Sequence, residues 1–153
     1  MTRLLGIDLG TRRVGLAVAD SASGEVRRLV MLRRSSAERE LAALARIVAE
    51  QRIEELVLGL PLNLDGSEGE QARLTRAWAA GVAAHIGLPL CWRDERLTTA
   101  RAADAAGRLR RGASGGPPSA AARARHRSRL DQGAAALIVQ AELDARNGAS
   151  ADK

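Results

Sequence analysis

Three carboxylates sit where the chain changes direction, and they are the residues most suited to chemistry. Asp8 ends the apolar run Leu4-Leu5-Gly6-Ile7 and is followed by Gly10 and Thr11. A carboxylate at the end of a buried strand is costly unless it is paired, hydrogen-bonded or bound to a cation. It could cap the following turn through Thr11 or Arg12, or it could hold a metal. Glu95, in Asp94-Glu95-Arg96, follows the apolar stretch Pro89-Leu90-Cys91-Trp92. It could form an ion pair in a loop, or it could join Asp8 at one end of a sheet. Asp131 falls in the first turn of the last expected helix, where the macrodipole alone favours an acid. Together, three carboxylates at element ends would make a hard, oxygen-rich site suited to Mg²⁺ or Mn²⁺. Such a site activates water and stabilises the charge that develops on a phosphodiester. Spacing alone does not bring the three together.

The second chemical feature is basic. Between Asp104 and Asp131 lie seven arginines (Arg108, Arg110, Arg111, Arg123, Arg125, Arg127 and Arg129) and no acid. Like charge concentrated in one segment calls for a counter-charge, and a nucleic-acid backbone supplies it. His126 in this run reads as a polar loop residue, His85 as a surface or capping residue late in a helix, and Cys91 as core. No Cys or His pair has zinc spacing.

The elements that must position these residues follow from periodicity. Residues 3–8, 14–19 and 26–32 read as strands joined by short connections, an antiparallel meander. Ser35 and Ser36 can cap a helix running to about Gln51, with Leu41, Leu44, Ile47 and Val48 on one face. Residues 55–58 form a short buried strand, and a helix runs from about Glu68 to Ile86. Residues 89–92 form a fifth strand, Thr98 can cap a helix to about Arg110, and a last helix covers about 128 to 145. The expectation is an α/β domain with a five-stranded mixed sheet, three antiparallel strands then two parallel ones, and helices on both faces. Chemistry in such sheets gathers beyond the carboxyl ends of the parallel strands. One domain is expected over 1–147, with a mobile Gly-, Pro-, Ser- and Arg-rich loop over 111–127 and a disordered tail over 148–153.

Composition narrows the function classes. At 153 residues the chain is one ordinary domain, and folding at this size buries roughly 68–70% of the unfolded surface. Cys91 is the single cysteine, so there is no internal disulfide framework. No apolar run approaches about 18 residues, so no membrane span is expected, and a cytoplasmic setting fits. The net charge is +6, with Lys153 the only lysine among 24 basic residues. Positive charge favours polyanionic partners. Because Tyr and Phe are absent and there are two Trp, any nucleic acid must be held through its phosphates and shape rather than by base stacking.

Four segments then show a resemblance. Gly6-Ile7-Asp8-Leu9-Gly10-Thr11-Arg12-Arg13-Val14-Gly15 and the residues on to Asp20 resemble the opening motif of the YqgF family, also called RuvX. Gly59-Leu60-Pro61-Leu62-Asn63-Leu64-Asp65-Gly66-Ser67, Trp92-Arg93-Asp94-Glu95-Arg96-Leu97-Thr98-Thr99, and Asp131-Gln132-Gly133-Ala134-Ala135-Ala136-Leu137-Ile138-Val139 match its later motifs in order. The similarity spans about 3–146. It implies an RNase H-like fold and a divalent-metal-dependent nuclease, most directly one that processes the 5′ end of pre-16S rRNA. The alternatives are a Holliday junction resolvase and a non-catalytic nucleic-acid-binding module. An ATP-binding domain of the actin and sugar-kinase type shares the look of Asp8-Leu9-Gly10-Thr11, but 153 residues are too few for its two domains.

The resemblance puts catalytic and metal roles on Asp8, Glu95 and Asp131, with Mg²⁺ or Mn²⁺ as cofactor. It places Arg12 and Arg13 near the scissile phosphate and includes Arg96 in a matched motif. Arg110, Arg111, Arg123, Arg125, Arg127 and Arg129 are expected to bind the nucleic acid, RNA ahead of branched DNA. The protein is expected as a monomer or homodimer. Two departures stand out. The strand at 55–58 ends in Gly59-Leu60-Pro61-Leu62-Asn63 with no acid until Asp65, where RNase H-like enzymes often end it in a carboxylate, and Ala134 stands where related resolvases carry a second acid on the last helix.

Overall fold

The computed structural model describes residues 2–29, 31–94 and 120–151, with side chains in the last segment described from 133 to 148. The strands are β1 (Arg3–Leu9), β2 (Arg13–Asp20), β3 (Val26–Arg28), β4 (Leu32–Arg33), β5 (Glu55–Leu60) and β6 (Leu90–Asp94). The helices are α1 (Ala37–Gln51), α2 (Glu70–Ile86) and α3 (Ala120–Ala151). The sheet runs β3-β2-β1-β5-β6, and β4 also pairs with β2. β1 is antiparallel to β2 and parallel to β5, and β5 is parallel to β6. The carboxyl ends of β1, β5 and β6 therefore point to one edge.

Period-two alternation sorts β1 onto two faces. Leu5, Ile7 and Leu9 join Leu16, Leu44, Leu56, Leu58 and Val82 in a core under α1 and α2. Leu4 joins Ala17, Val57, Ala135, Ile138, Val139 and Leu143 in a second core under α3. The expected arrangement of helices on both faces is thus observed. Fully burying each Leu, Ile or Val contributes about 1.5–3 kcal/mol, and both cores draw on the same central strands.

Gly6 explains how closely α3 approaches. A Cβ there would lie 2.6 Å from the Ala135 carbonyl oxygen and 2.9 Å from Val139 Cβ. α1 starts as expected, with the Ser36 side chain accepting from the Arg39 N–H at 3.2 Å.

Several boundaries differ from the sequence reading. The third strand is two short pieces, β3 and β4, both paired with β2, so the sheet has six strands. α2 begins at Glu70, after Gly66 at φ 89° and the Asn63–Ser67 turn. α3 begins at Ala120 rather than near Ser128 and continues to Ala151, taking in residues 120–127 expected in the basic loop and residues 148–151 expected in the tail. Small and basic residues there carry little apolar periodicity, which is why local pattern ended the helix early. The expected helix from Thr98 lies outside the described residues. Among the described residues, no helix is long and apolar enough to cross a membrane.

Candidate active site and nucleic-acid interface

Asp8 is half-buried, one residue before the end of β1. It shares a strand face with Leu4 and Gly6, the face covered by α3. Directly opposite on β2 is Gly15, which has no side chain to crowd it. No hydrogen bond or ion pair reaches the Asp8 carboxylate among the described residues. The turn after it is closed by other groups. The Gly10 N–H donates to the Arg13 carbonyl at 2.8 Å. A Cβ on Gly10 would lie 2.8 Å from that same oxygen, so the turn requires glycine. The capping role open to Asp8 on sequence grounds is therefore taken by the backbone.

The same turn is braced from outside. Arg34 Nη1 donates to the Gly10 carbonyl at 2.8 Å, and the Arg34 N–H donates to the Arg12 carbonyl at 2.8 Å. Arg34 Nε in turn donates to Glu40 Oε2 at 2.7 Å. Glu40 is 4% exposed and also accepts from the Ser35 N–H and from Trp78 Nε1. A buried carboxylate with three donors is well compensated. It fixes the arginine that holds the Gly10–Arg13 turn and so orients the chain that carries Arg12 and Arg13. Both of those residues are exposed.

The other expected ligands are described less completely. Glu95 directly follows Asp94, the last residue of β6, and lies outside the described residues. Arg96, Arg110 and Arg111 lie outside them too. β6 stands two strand spacings from β1, about 10 Å. Asp131 lies on α3 with its backbone described. Because α3 starts at Ala120, Asp131 is about three turns in, so a first-turn dipole does not account for an acid there. Arg123, Arg125, Arg127 and Arg129 occupy the same helix ahead of it. Among the described residues no three His, Cys, Asp or Glu gather as a metal site. Asp8 offers hard oxygen donors, and an all-carboxylate set with Glu95 and Asp131 suits Mg²⁺ or Mn²⁺.

The far flank of the α3 face is also charged, and there Arg93, Arg146, Glu142 and Glu55 pair with one another. Glu142, 8% exposed, accepts from Arg93 at 2.6 Å and from Arg146 at 2.9 Å. Arg146 also pairs with Glu55. Burial alone would push the Glu142 carboxyl up, but the bonds from Arg146 and Arg93 outweigh it and hold it below its ordinary value. The Arg146 guanidinium is stabilised first by Glu55, against the cost of burial. Cys91 packs on the second core as expected, its thiol pushed up to about 11 by burial and then by the Glu142 charge.

The profile of RuvX, described as Holliday junction resolvase, matches residues 2–145. The chain belongs to the RuvX family. Relatives carrying the name "Putative pre-16S rRNA nuclease" include one from Moorella thermoacetica, 41% identical over 93% of this chain and 94% of its own. Another, from Anaeromyxobacter sp., is 42% identical over 95% of this chain and 98% of its own. Among solved structures, Thermus thermophilus RuvC in complex with Holliday junction substrate matches with a TM-score of 0.58, at 20% identity, over 97% of both chains. The fowlpox virus Holliday junction resolvase matches with a TM-score of 0.52, at 12% identity, over 94% of this chain and 99% of that one. These likenesses show the fold, and the RNase H-like α/β expectation is met.

In this RuvX-family chain, sequence reasoning missed Arg34 and Glu40. One signal was present. Glu40 lies four residues before Leu44, on the apolar stripe of α1, where an unpaired acid would be costly.

Proposed function

We propose that this protein is a divalent-metal-dependent nuclease that hydrolyses phosphodiester bonds in structured nucleic acid, acting on the 5′ end of pre-16S rRNA. The observation that carries the reading is Asp8: a half-buried carboxylate with no partner among the described residues, at the carboxyl end of β1, beside a braced turn bearing two exposed arginines. Membership of the RuvX family and the name shared by its relatives at about 40% identity supply the substrate class.

Asp8, Glu95 and Asp131 are the residues that would hold the cation. When bound, a divalent cation lowers the pKa of water and offsets charge on the phosphoryl oxygens. Helix geometry supports the pairing of Asp8 with Asp131. Arg146 meets Glu55, which is level with Leu4, while Ala135 and Val139 meet Gly6. α3 therefore runs back against β1. From Gly6 to Asp8 the strand advances about 6.6 Å, and from Ala135 to Asp131 the helix retreats about 6 Å. Both steps lead to the same end of the sheet, and Asp131 repeats the helix face of Ala135. Arg12 and Arg13 lie near the scissile phosphate and bring positive charge to it, with guanidinium forks suited to phosphate oxygens of the bound backbone. Arg96, Arg110, Arg111, Arg123, Arg125, Arg127 and Arg129 add contacts to the backbone beyond it.

The test is a side-by-side cleavage assay on a labelled pre-16S rRNA fragment and a four-way DNA junction, with Mg²⁺ or Mn²⁺, for wild type and Asp8→Asn. RNA trimming that disappears in the variant is the expected result. Paired symmetric nicks in the junction would favour the resolvase reading, which the RuvX description itself names. That reading requires a symmetric dimer. Binding without turnover under either metal would leave a non-catalytic binding module, and full activity of Asp8→Asn would overturn the site.

A further inference from the structure

β2 and β4 place two arginines directly opposite one another: Arg13 pairs with Arg33, next to Val14 with Leu32. Val14 and Leu32 pack into the core under α1 and α2, so alternation turns Arg13 and Arg33 to the other face. That is the face of Asp8, because Asp8 is opposite Gly15 and Gly15 is two residues from Arg13. Like charges directly opposed on a sheet repel each other. Both side chains are exposed, and neither has an ion pair among the described residues. Two nearby arginines are held instead. Arg27 donates to Gln51, and Arg34 is held by Glu40. Two unmatched guanidiniums side by side make a site for a dianionic or bridging oxyanion, and a phosphate offers oxygens to both forks.

Position identifies the phosphate. From Asp8 to Arg13 is a diagonal step across one strand pair, and Arg33 lies one strand farther, roughly 12 Å from Asp8 between Cα atoms. Gly15 leaves the ground between them free of side chain. We propose that Arg33, with Arg13, clamps an RNA backbone phosphate flanking the one cut beside Asp8, so that the binding track runs from the end of β1 to the β4 edge of the sheet. The proposal rests on the nuclease reading above and adds to it a residue that none of the matched motifs contains.

The experiment is RNA binding by full-length protein carrying Asp8→Asn, which prevents cleavage, against a 5′-labelled pre-16S rRNA fragment over a salt series. Added to that background, Arg33→Gln is expected to raise Kd about threefold to tenfold. It is also expected to lower the slope of log K against log salt by roughly 0.7–0.9, one phosphate contact. Arg33→Lys keeps the slope. Arg46→Gln, an exposed arginine on α1, leaves both quantities unchanged. The free protein's thermal midpoint is expected to hold or rise in Arg33→Gln, since repulsion with Arg13 is relieved, and a merely structural role would lower it. If Arg33→Gln binds like Arg46→Gln while Arg13→Gln weakens binding, the clamp is wrong and the nuclease reading stands. If the Asp8→Asn parent itself does not bind the RNA, the reading beneath the clamp fails with it.

Discussion

Arginines flank the α3 face of the sheet on both sides, and the two flanks treat their charge in opposite ways. On the β5–β6 side, Arg93 and Arg146 face Glu142 and Glu55, two cations against two anions in one network. On the β4–β2 side, Arg13 and Arg33 face each other, beside the exposed Arg12. The first arrangement is internally neutral and ties α3 to β5 and β6. The second, among the described residues, leaves positive charge beside Asp8 with no acid paired to it. An arginine count therefore says little about binding in a chain this rich in arginine; what matters is which arginines the fold leaves unmatched.

The largest effect should come from Asp8, on the unmatched flank. Asp8→Asn is expected to lower the cleavage rate by on the order of 10³-fold or more, with RNA affinity retained and the urea midpoint little changed. Cleavage rates and a binding titration on the same preparation check this. A proportional loss of binding would mean that Asp8 shapes the RNA surface rather than the reaction.

The matched flank should respond in stability. Glu142→Ala removes the acceptor shared by Arg93 and Arg146, each about one-third exposed and so able to reach water. The expected loss is about 2–3 kcal/mol, read from urea unfolding, with the salt slope of RNA binding unchanged. A steeper slope in this variant would show that the freed arginines join the binding track and that the two flanks are not separate.

Acid should act in the same place. Glu142 has its carboxyl held below the ordinary glutamate value of 4.5 in the folded protein. Its stabilising contribution is complete above that value and is lost as pH falls through the folded one. Unfolding free energy is therefore expected to decline below about pH 4.5, and the gap between wild type and Glu142→Gln should narrow over the same range. A gap independent of pH would show that the carboxylate charge is not what holds α3.

The smallest effect concerns Cys91, beside the matched network. With its thiol pushed up to about 11, it should react with iodoacetamide at pH 8 more slowly than free cysteine does. Glu142→Gln should speed the reaction by removing the nearby negative charge. No change in that variant would show that burial alone protects the thiol.

Much of the fold was legible because local pattern carries it. Alternation in residues 3–8 and 14–19 marks two strands, and Ser36 marks the start of α1. The end of an apolar strand at Asp8 also marks where chemistry should gather. What was not legible depended on partners far along the chain. The break between β3 and β4 follows from pairing with β2. The part of α3 from Ala120 to Arg127 lies in a stretch where alanine and arginine support a helix but show no apolar stripe. Glu40 looked like an acid misplaced on α1 until Arg34 and Trp78 were seen around it.

Sequence by itself determined that this is an α/β chain of the RuvX family, with Asp8 at the close of its first strand and an excess of arginine for a polyanion. Tertiary structure decided which charges cancel. Arg93 and Glu142 are 49 residues apart, and Arg146 and Glu55 are 91 apart; strand register set Arg13 against Arg33. The reason is physical. Secondary structure is written in spacings of two and of three to four residues, whereas Coulomb energy depends on distance in space and on burial. Those two quantities exist only once the sheet has formed.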